Sequence, residues 1–570
     1  MFSKVRILVA DNEKFGLQLA EMQISDMELS QYVDIVGFGK TTEEVRELVK
    51  TKYFDAAFID LVWGGSEAGS EAGKTLLKYI QRNSPGCLNA IVTAYKKEHV
   101  DIILDIVSAT TGGSVYFVNK NASDTSPYAA LLHNKFRQRM DAGWAIENLA
   151  EISRALAEPK RLARIENIRQ NVEEIEHELS AILFDVFNES ASISLTGAPV
   201  KLSLRLIRNQ GRSSSLAVEA HLSYGRDSNG DEITGNRCFL KIGPVVDIEN
   251  EARRYSGLIR MGVATEFRVD MVGWAKRDAL AAVCYSFAGG IEDDGIRSLD
   301  SLLEAEQYRD VFEVISTLFN AGSKSWMQVA GKPKVPQMYY AENFKFDIES
   351  ALTRVDAFLA KLPDVNFDAK SGSAGFHGYS LRILRASSAA SPNYYFKVGC
   401  CLVHGDLHGG NVVVGSRTLR RINMIDYATA GMGPRFADGA ALSVTIRAYQ
   451  ARFHGSASDV AKYEKHDFNL LVSLLKETDF DVSRFSDRDR EFYSLLQQTA
   501  SVMFSNFETP RDVQVREWAL TQLVYGLSVF QMRASDVEKV RILAAVSASV
   551  RFLGSSLAWP TDSENEGNAK

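Results

Sequence analysis

One stretch constrains the fold of this chain more than any other: Cys401-Leu402-Val403-His404-Gly405-Asp406-Leu407-His408-Gly409-Gly410-Asn411-Val412-Val413-Val414. A second apolar run, Ile422 to Ile425, leads into Asp426. Short β-branched segments flanking a polar turn read as a small hairpin. The turn holds Asp406 and, five positions on, Asn411; Asp426 follows fifteen positions after Asn411, at the end of the next strand. Such a set of oxygens suits phosphoryl transfer from Mg·ATP. One carboxylate takes the proton of the acceptor, while an amide oxygen and a second carboxylate hold Mg²⁺ on the triphosphate.

The pattern His-Gly-Asp-Leu-His-x-Gly-Asn, followed by Ile-Asp, resembles the catalytic segment of the aminoglycoside/choline phosphotransferase branch of the protein-kinase-like superfamily. The resemblance implies that Asp406 is the catalytic base, that Asn411 and Asp426 are metal ligands, and that His404 braces the loop. Asp426 to Gly433 resembles the Asp-x-x-x-x-Gly-x-Gly phrase of ternary-complex-associated phosphotransferase-like families. Tyr427 stands where protein kinases carry Phe. Asp438 matches a family Asp that braces the catalytic loop.

At 570 residues the chain is too long for one core, so two to four domains are expected. The net charge of −7 gives no basic excess that would favour nucleic acid as a partner. No run approaches the roughly 18 apolar residues of a membrane span, and the N-terminus lacks a signal-peptide pattern. Five cysteines without metal spacing fit a reducing compartment, so a cytoplasmic location without membrane attachment is expected. Adjacent Cys400 and Cys401 read as small apolar residues of a buried strand.

Residues 1–136 alternate strands and helices. Val5 to Ala10 ends at Asp11-Asn12-Glu13, Phe54 to Ile59 at Asp60, Ala90 to Val92 at Thr93, and Val115 to Val118 at Asn119-Lys120. This alternation predicts a doubly wound parallel sheet whose strand C-ends converge in one crevice. The constellation resembles a response-regulator receiver. By that resemblance Asp60 accepts a phosphoryl group from a histidine kinase or another phosphodonor. Thr93 is then the switch hydroxyl and Lys120 its cationic partner, and Asp11 and Asp60 hold Mg²⁺. Asn12 sits where receivers usually carry their main Mg²⁺-binding Asp, so Mg²⁺ should bind more weakly, and Asn121 replaces the usual Pro; both leave open a receiver kept as a docking surface. Trp63 to Gly73, long for the loop after the acceptor strand, reads as a solvated loop or as a segment that covers the site or binds a partner.

Residues 137–190 form a helical connector. Ile165, Ile168, Val172, Ile175, Leu179, Ile182 and Val186 follow a 3-4 spacing amid charged and amide residues. That seam predicts either a coiled-coil-like homodimer through 165–186 or a helix lying along its own neighbouring domain.

Residues 191–288 read as the small lobe of the kinase-like domain. The loop from Arg208 to Ser215 between two strands reads either as a phosphate-approaching loop, with Gly211 and Ser213 at the nucleotide, or as an ordinary hairpin turn. Lys241 lies on an apolar strand and needs a counter-charge. The resemblance pairs it with a helix Glu and with ATP, here Glu251, with Glu249 as the alternative. Phe267 to Val272 and Ala279 to Phe287 read as strands. By resemblance, the backbone of Tyr285 to Phe287 meets the adenine, before a hinge at Ala288-Gly289-Gly290.

Residues 289–560 read as the helical catalytic lobe, with helices at Ser298 to Leu303, Tyr308 to Ser325 and Phe344 to Leu362, an irregular Ser371 to Pro392, and a disordered tail from 561 to 570. The whole predicts a signalling protein in which a receiver governs an ATP- and Mg²⁺-dependent phosphotransferase acting on an unknown small-molecule or protein acceptor. A nucleotide-binding scaffold without turnover and adenylyl transfer from ATP are the alternatives.

Overall fold

The structure is a computed structural model. It describes residues 4–61, 67–94, 115–120, 126–141, 145–162, 171–189, 201–207, 215–226, 232–286, 296–322, 324–361, 397–415, 422–454, 460–483, 485–530 and 535–556. The chain divides into two units. The first holds residues 1–252 and 270–287, the second 253–269 and 288–570.

The first unit begins with a five-stranded parallel sheet in the order β2-β1-β3-β4-β5. Its strands are β1 (Val5–Ala10), β2 (Val33–Gly39), β3 (Ala56–Asp60), β4 (Leu88–Thr93) and β5 (Val115–Asn119). Both β1 and β3 are buried along their whole length, as a central strand covered on both faces must be. Helices α1 (Lys14–Asp26), α2 (Thr42–Thr51), α3 (Glu67–Asn83) and α4 (Pro127–Asp141) accompany the sheet. One apolar cluster sets α1 and α4 against it and another sets α2 and α3. Helix α3 starts at Glu67, so the second half of the stretch read as a solvated loop, Trp63 to Gly73, is helical; residues 62–66 lie outside the described residues.

After β6 (Ala145–Glu147) and α5 (Leu149–Leu156) comes α6 (Val172–Glu189). It packs on a six-stranded sheet ordered β10-β11-β9-β8-β7-β6. The further strands are β7 (Lys201–Leu206), β8 (Leu216–Arg226), β9 (Glu232–Pro244), β10 (Met271–Lys276) and β11 (Leu280–Ser286). Of the two readings of the connector seam, the structure bears out packing on the chain's own neighbouring sheet. Ile175, Leu179, Ile182 and Val186 are fully buried in one cluster with Leu202, Leu216, Leu240 and Leu280, so this part of the seam is not free for a homodimer. Ile165 and Ile168 lie outside the described residues.

Helix α6 also ties the receiver-type module to this sheet by its carboxylates. Glu174 accepts the Tyr53 backbone N–H at 2.6 Å and the Arg6 guanidinium at 2.9 Å. One turn on, Glu178 accepts the backbone N–H groups of Ala279 and Leu280 at 2.8 and 2.9 Å. Asp278 accepts the Gly86 N–H at 3.0 Å and the Ser84 hydroxyl, and Arg277 donates to the Gly86 carbonyl at 3.1 Å. Beneath them, buried Asp55 takes Arg139 at 2.5 Å and the Tyr53 hydroxyl and Arg6 N–H at 2.9 Å each. Helix α7 (Val245–Arg254) leaves β9 directly.

The second unit is mainly helical. It contains α8 (Leu299–Glu304), α9 (Tyr308–Gly322), α10 (Pro336–Phe344), α11 (Ile348–Leu359), α12 (Ala437–His454), α13 (Val460–Lys476), α14 (Asp487–Ser505), α15 (Arg511–Phe530) and α16 (Asp536–Ser556). The helix read from Phe344 to Leu362 is divided. Lys345 takes φ 52° and ends α10, and the Asp347 carboxylate caps α11 by accepting the Ser350 N–H at 2.7 Å. Thr265–Phe267 is a single 3-10 turn rather than the start of a strand.

Two small sheets complete this unit, with strands β12 (Ile296–Ser298), β13 (Ala330–Lys334), β14 (Val398–Val403), β15 (Val412–Gly415), β16 (Ile422–Met424) and β17 (Gly431–Pro434). The hairpin reading needs refinement. The strands on either side of the polar turn do not pair with each other: β14 pairs with β13 and β17, and β15 pairs with β12 and β16. The hairpin is β15–β16. The turn from His404 to Asn411 bridges two sheets and is therefore held at both ends.

Candidate active site

At the C-terminal edge of the parallel sheet, Lys120 bridges two carboxylates. Its Nζ lies 2.7 Å from Asp11 and 3.0 Å from Asp60. Burial pulls the ammonium's pKa down, but Asp60 and Asp11 outweigh it and leave it raised. Thr93 is buried on the neighbouring strand, and its carbonyl accepts the Lys120 N–H at 3.1 Å. The remaining Asp11 oxygen accepts the Glu13 N–H at 2.8 Å. Gly16 makes room for this: a Cβ there would lie 2.0 Å from Asp11 Oδ2. Asp11 and Asp60 are hard oxygen donors of the right type for Mg²⁺, with Lys120 as the cation between them. Asn121 lies outside the described residues.

In the six-stranded sheet, Lys241 of β9 pairs with Val283 of β11 and Ala217 of β8. Its Nζ donates to Glu251 of α7 at 2.8 Å. Both side chains are under 10% exposed, so each charge depends on the other. The second Glu251 oxygen accepts the Tyr285 hydroxyl at 2.9 Å. Glu249, the alternative partner, instead takes Lys276 at 3.0 Å. Alternation puts Phe239 and Lys241 on one face of β9. Gly211, Ser213, Phe287 and the Ala288–Gly290 hinge lie outside the described residues.

In the second unit the loop between β14 and β15 is fixed from several sides. Asp438, at the start of α12, accepts the backbone N–H groups of His404 and Gly405 at 3.0 and 2.8 Å. Burial pushes its carboxyl up, against the pull of the His404 ring and these two N–H groups. His404 Nε2 donates to the Ile425 carbonyl at 2.8 Å, tying the loop to the residue before Asp426. Gly405 has φ +88°, and a Cβ there would lie 2.0 Å from the Tyr339 hydroxyl and 2.7 Å from the Thr429 carbonyl. Glycine is required on both counts.

Asn411 donates through Nδ2 to the Asp406 carbonyl at 2.8 Å, and its own carbonyl accepts the Ile425 N–H at 3.0 Å. Its amide oxygen therefore remains an acceptor next to the Ile425–Asp426 step. Asp426 itself has φ 65°, an uncommon conformation for a non-glycine residue. An amide oxygen and one carboxylate fit a Mg²⁺ ion that takes its other ligands from phosphates and water. Among the described residues no group of three or more His, Cys, Asp or Glu is placed to hold a metal unaided.

Three features escaped the sequence reading. Tyr525 of α15 donates its hydroxyl to Asp406 Oδ1 at 2.9 Å. Nothing in the apolar pattern around Leu520 and Leu527 marks it. Tyr285, expected to act only through its backbone at the adenine, donates its hydroxyl to Glu251. The Asp55–Arg139 pair was hidden because nothing local distinguishes Asp55 from a surface acid at a strand start.

The first unit carries the Asp11–Lys120–Asp60 cluster and the Lys241–Glu251 pair, and the second carries the loop with Asp406 and Asn411. Solved structures of two kinds are similar to this chain. A CheY-like response regulator receiver domain from Methanospirillum hungatei JF-1 is 20% identical, over 24% of this chain and 95% of its own, with a TM-score of 0.18. The aminoglycoside phosphotransferase APH(3'')-Id from Streptomyces rimosus is 17% identical, over 56% and 98%, with a TM-score of 0.26. A Plasmodium vivax ethanolamine kinase is 11% identical, over 73% and 100%, with a TM-score of 0.33. At these values none of them tells what this chain does. No family model and no curated protein matches. Among the described residues no helix is long and apolar enough to cross a membrane.

Proposed function

We propose that the chain is an ATP-dependent phosphotransferase whose activity is set by its receiver-type module. The buried Lys241–Glu251 pair carries this reading. A lone lysine in an apolar strand is stabilised by its glutamate, which also aims it, and a nucleotide phosphate is the ligand such an aimed ammonium suits. Asp406 takes the acceptor's proton, and Asn411 and Asp426 would hold Mg²⁺, which would supply charge neutralisation on the triphosphate. The protein's own contribution is to hold the base, the ammonium and the metal ligands still.

Asp60 is the phosphoacceptor in this reading, and Lys120 is the cation that offsets the added charge. Helix α6 is the element through which the receiver's state would reach the nucleotide lobe. It holds Tyr53, just before the strand that ends in Asp60, and the Ala279–Leu280 turn, which begins the strand next to Lys241.

The test is incubation of the full chain with Mg²⁺ and γ-labelled ATP, following label in protein, in small molecules and as free phosphate. Movement of γ-label in the wild type and not in Asp406→Ala supports the proposal. Incorporation of α-label alone would make it an adenylyl transferase. ATP binding without movement of either label, with Asp60 phosphorylated or not, would make it a scaffold.

A further inference from the structure

A general base must present one defined oxygen to the proton it removes. Asp406 has two carboxylate oxygens, and the backbone bonds of its loop fix neither. Its carbonyl is held by His408 N–H and Asn411 Nδ2, at 2.8 Å each. Among the described residues the only hydrogen bond to the side chain itself comes from Tyr525, 119 positions further along the chain.

Tyr525 is well placed for that bond. It is 2% exposed, in the middle of α15. Its ring meets Tyr340 at 5.9 Å and Phe344 at 6.3 Å, both edge-on, so neighbours on α10 limit its rotation. Burial, and then the Asp406 carboxylate, push its phenol well above the usual range, so it stays a donor. A neutral donor on Oδ1 leaves Oδ2 as the oxygen open to an incoming hydroxyl.

We propose that Tyr525 is the positioning residue of the base: it locks the Asp406 carboxylate through Oδ1 and so reserves Oδ2 for the acceptor's proton. This rests on the phosphotransferase reading. Tyr525 does not touch the reacting atoms in this role, and its burial within the helix sets it apart from an acceptor hydroxyl.

The experiment uses the full chain, Mg²⁺ and γ-labelled ATP, with water as acceptor. Tyr525→Phe keeps the ring and removes only the donor. The expected result is a fall in kcat of about ten- to a hundredfold, from the loss of one hydrogen bond to a charged group, with KM for ATP unchanged. In the Asp406→Asn background the same change should have no further effect. Equal kcat in Tyr525→Phe and wild type overturns the proposal, as does a rise in KM alone. So does γ-label recovered on Tyr525, which would make it an acceptor.

A second measurement is independent of turnover. In protein labelled with 3-fluorotyrosine, the ¹⁹F resonance that Tyr525→Phe removes should move in Asp406→Asn. An unmoved resonance overturns the contact. If Asp406→Asn leaves turnover unchanged while the resonance moves, the phosphotransferase reading fails and the Tyr525–Asp406 contact stands.

Discussion

Glu174 accepts the backbone N–H of Tyr53 at 2.6 Å, which makes a connector helix the stopper at the end of the receiver-type sheet opposite Asp60. The same carboxylate takes Arg6, and both side chains are under 10% exposed. Replacing Glu174 by Ala leaves a buried guanidinium uncompensated and should cost about 3 kcal/mol of stability. Urea unfolding would show it as a lowered midpoint. A midpoint within error of wild type would mean that the receiver-type module is not seated on this helix.

The buried Lys241–Glu251 pair bears on folding as well as on the proposed nucleotide role, since each charge depends on the other. Lys241→Met keeps much of the side-chain volume and removes the ammonium. Turnover of Mg·ATP should fall by about a hundredfold or more if, as proposed, this charge meets the phosphates. Glu251→Gln should give a smaller loss, since Tyr285 still orients the amide. A Lys241→Met variant as active as wild type would remove the central support of the proposed function.

Asp60 should gain one phosphoryl group from a small phosphodonor such as acetyl phosphate with Mg²⁺, seen by intact-protein mass, and Asp60→Asn should gain none. In Asp60→Asn, Lys120 keeps Asp11 at 2.7 Å, so the fold should survive. Labelling of wild type and Asp60→Asn alike would place the acceptor elsewhere.

Acid should loosen the first unit through Asp55. Burial acts to raise its carboxyl, but Arg139, Arg277 and the Arg6 N–H outweigh burial and hold it below the usual range. A depressed carboxyl stabilises the fold fully above its unfolded pKa of about 3.9, and that contribution is lost as the pH falls through the lower folded value. Urea midpoints should therefore drop below about pH 4. Asp55→Asn should be less stable at neutral pH and show a shallower acid slope.

Gly405→Ala tests the loop that carries Asp406. The new Cβ meets the Tyr339 hydroxyl and Thr429 carbonyl at φ +88°, and the left-handed backbone alone costs about 1–2 kcal/mol. Thermal unfolding should come earlier and γ-label transfer should fall together with it.

The sequence by itself determined the local chemistry. Apolar runs halted by Asp11, Asp60, Thr93 and Lys120 require a parallel sheet with a polar edge, because only strand ends can expose such groups while the strands stay covered. The spacing of Asp406, Asn411 and Asp426 likewise follows from turn and strand lengths. Tertiary structure decided what lies far apart in the chain or looks the same in two environments. A 3-4 apolar seam has one appearance whether it meets a second helix or, as Ile175 and Leu179 do, a sheet of its own chain. Glu249 and Glu251 differ only in which side of α7 faces Lys241. Tyr525 reads as one more core residue of a buried helix until packing brings its hydroxyl to Asp406. Helix and strand periodicity encode which residues are buried, whereas their partners are set by how the elements dock.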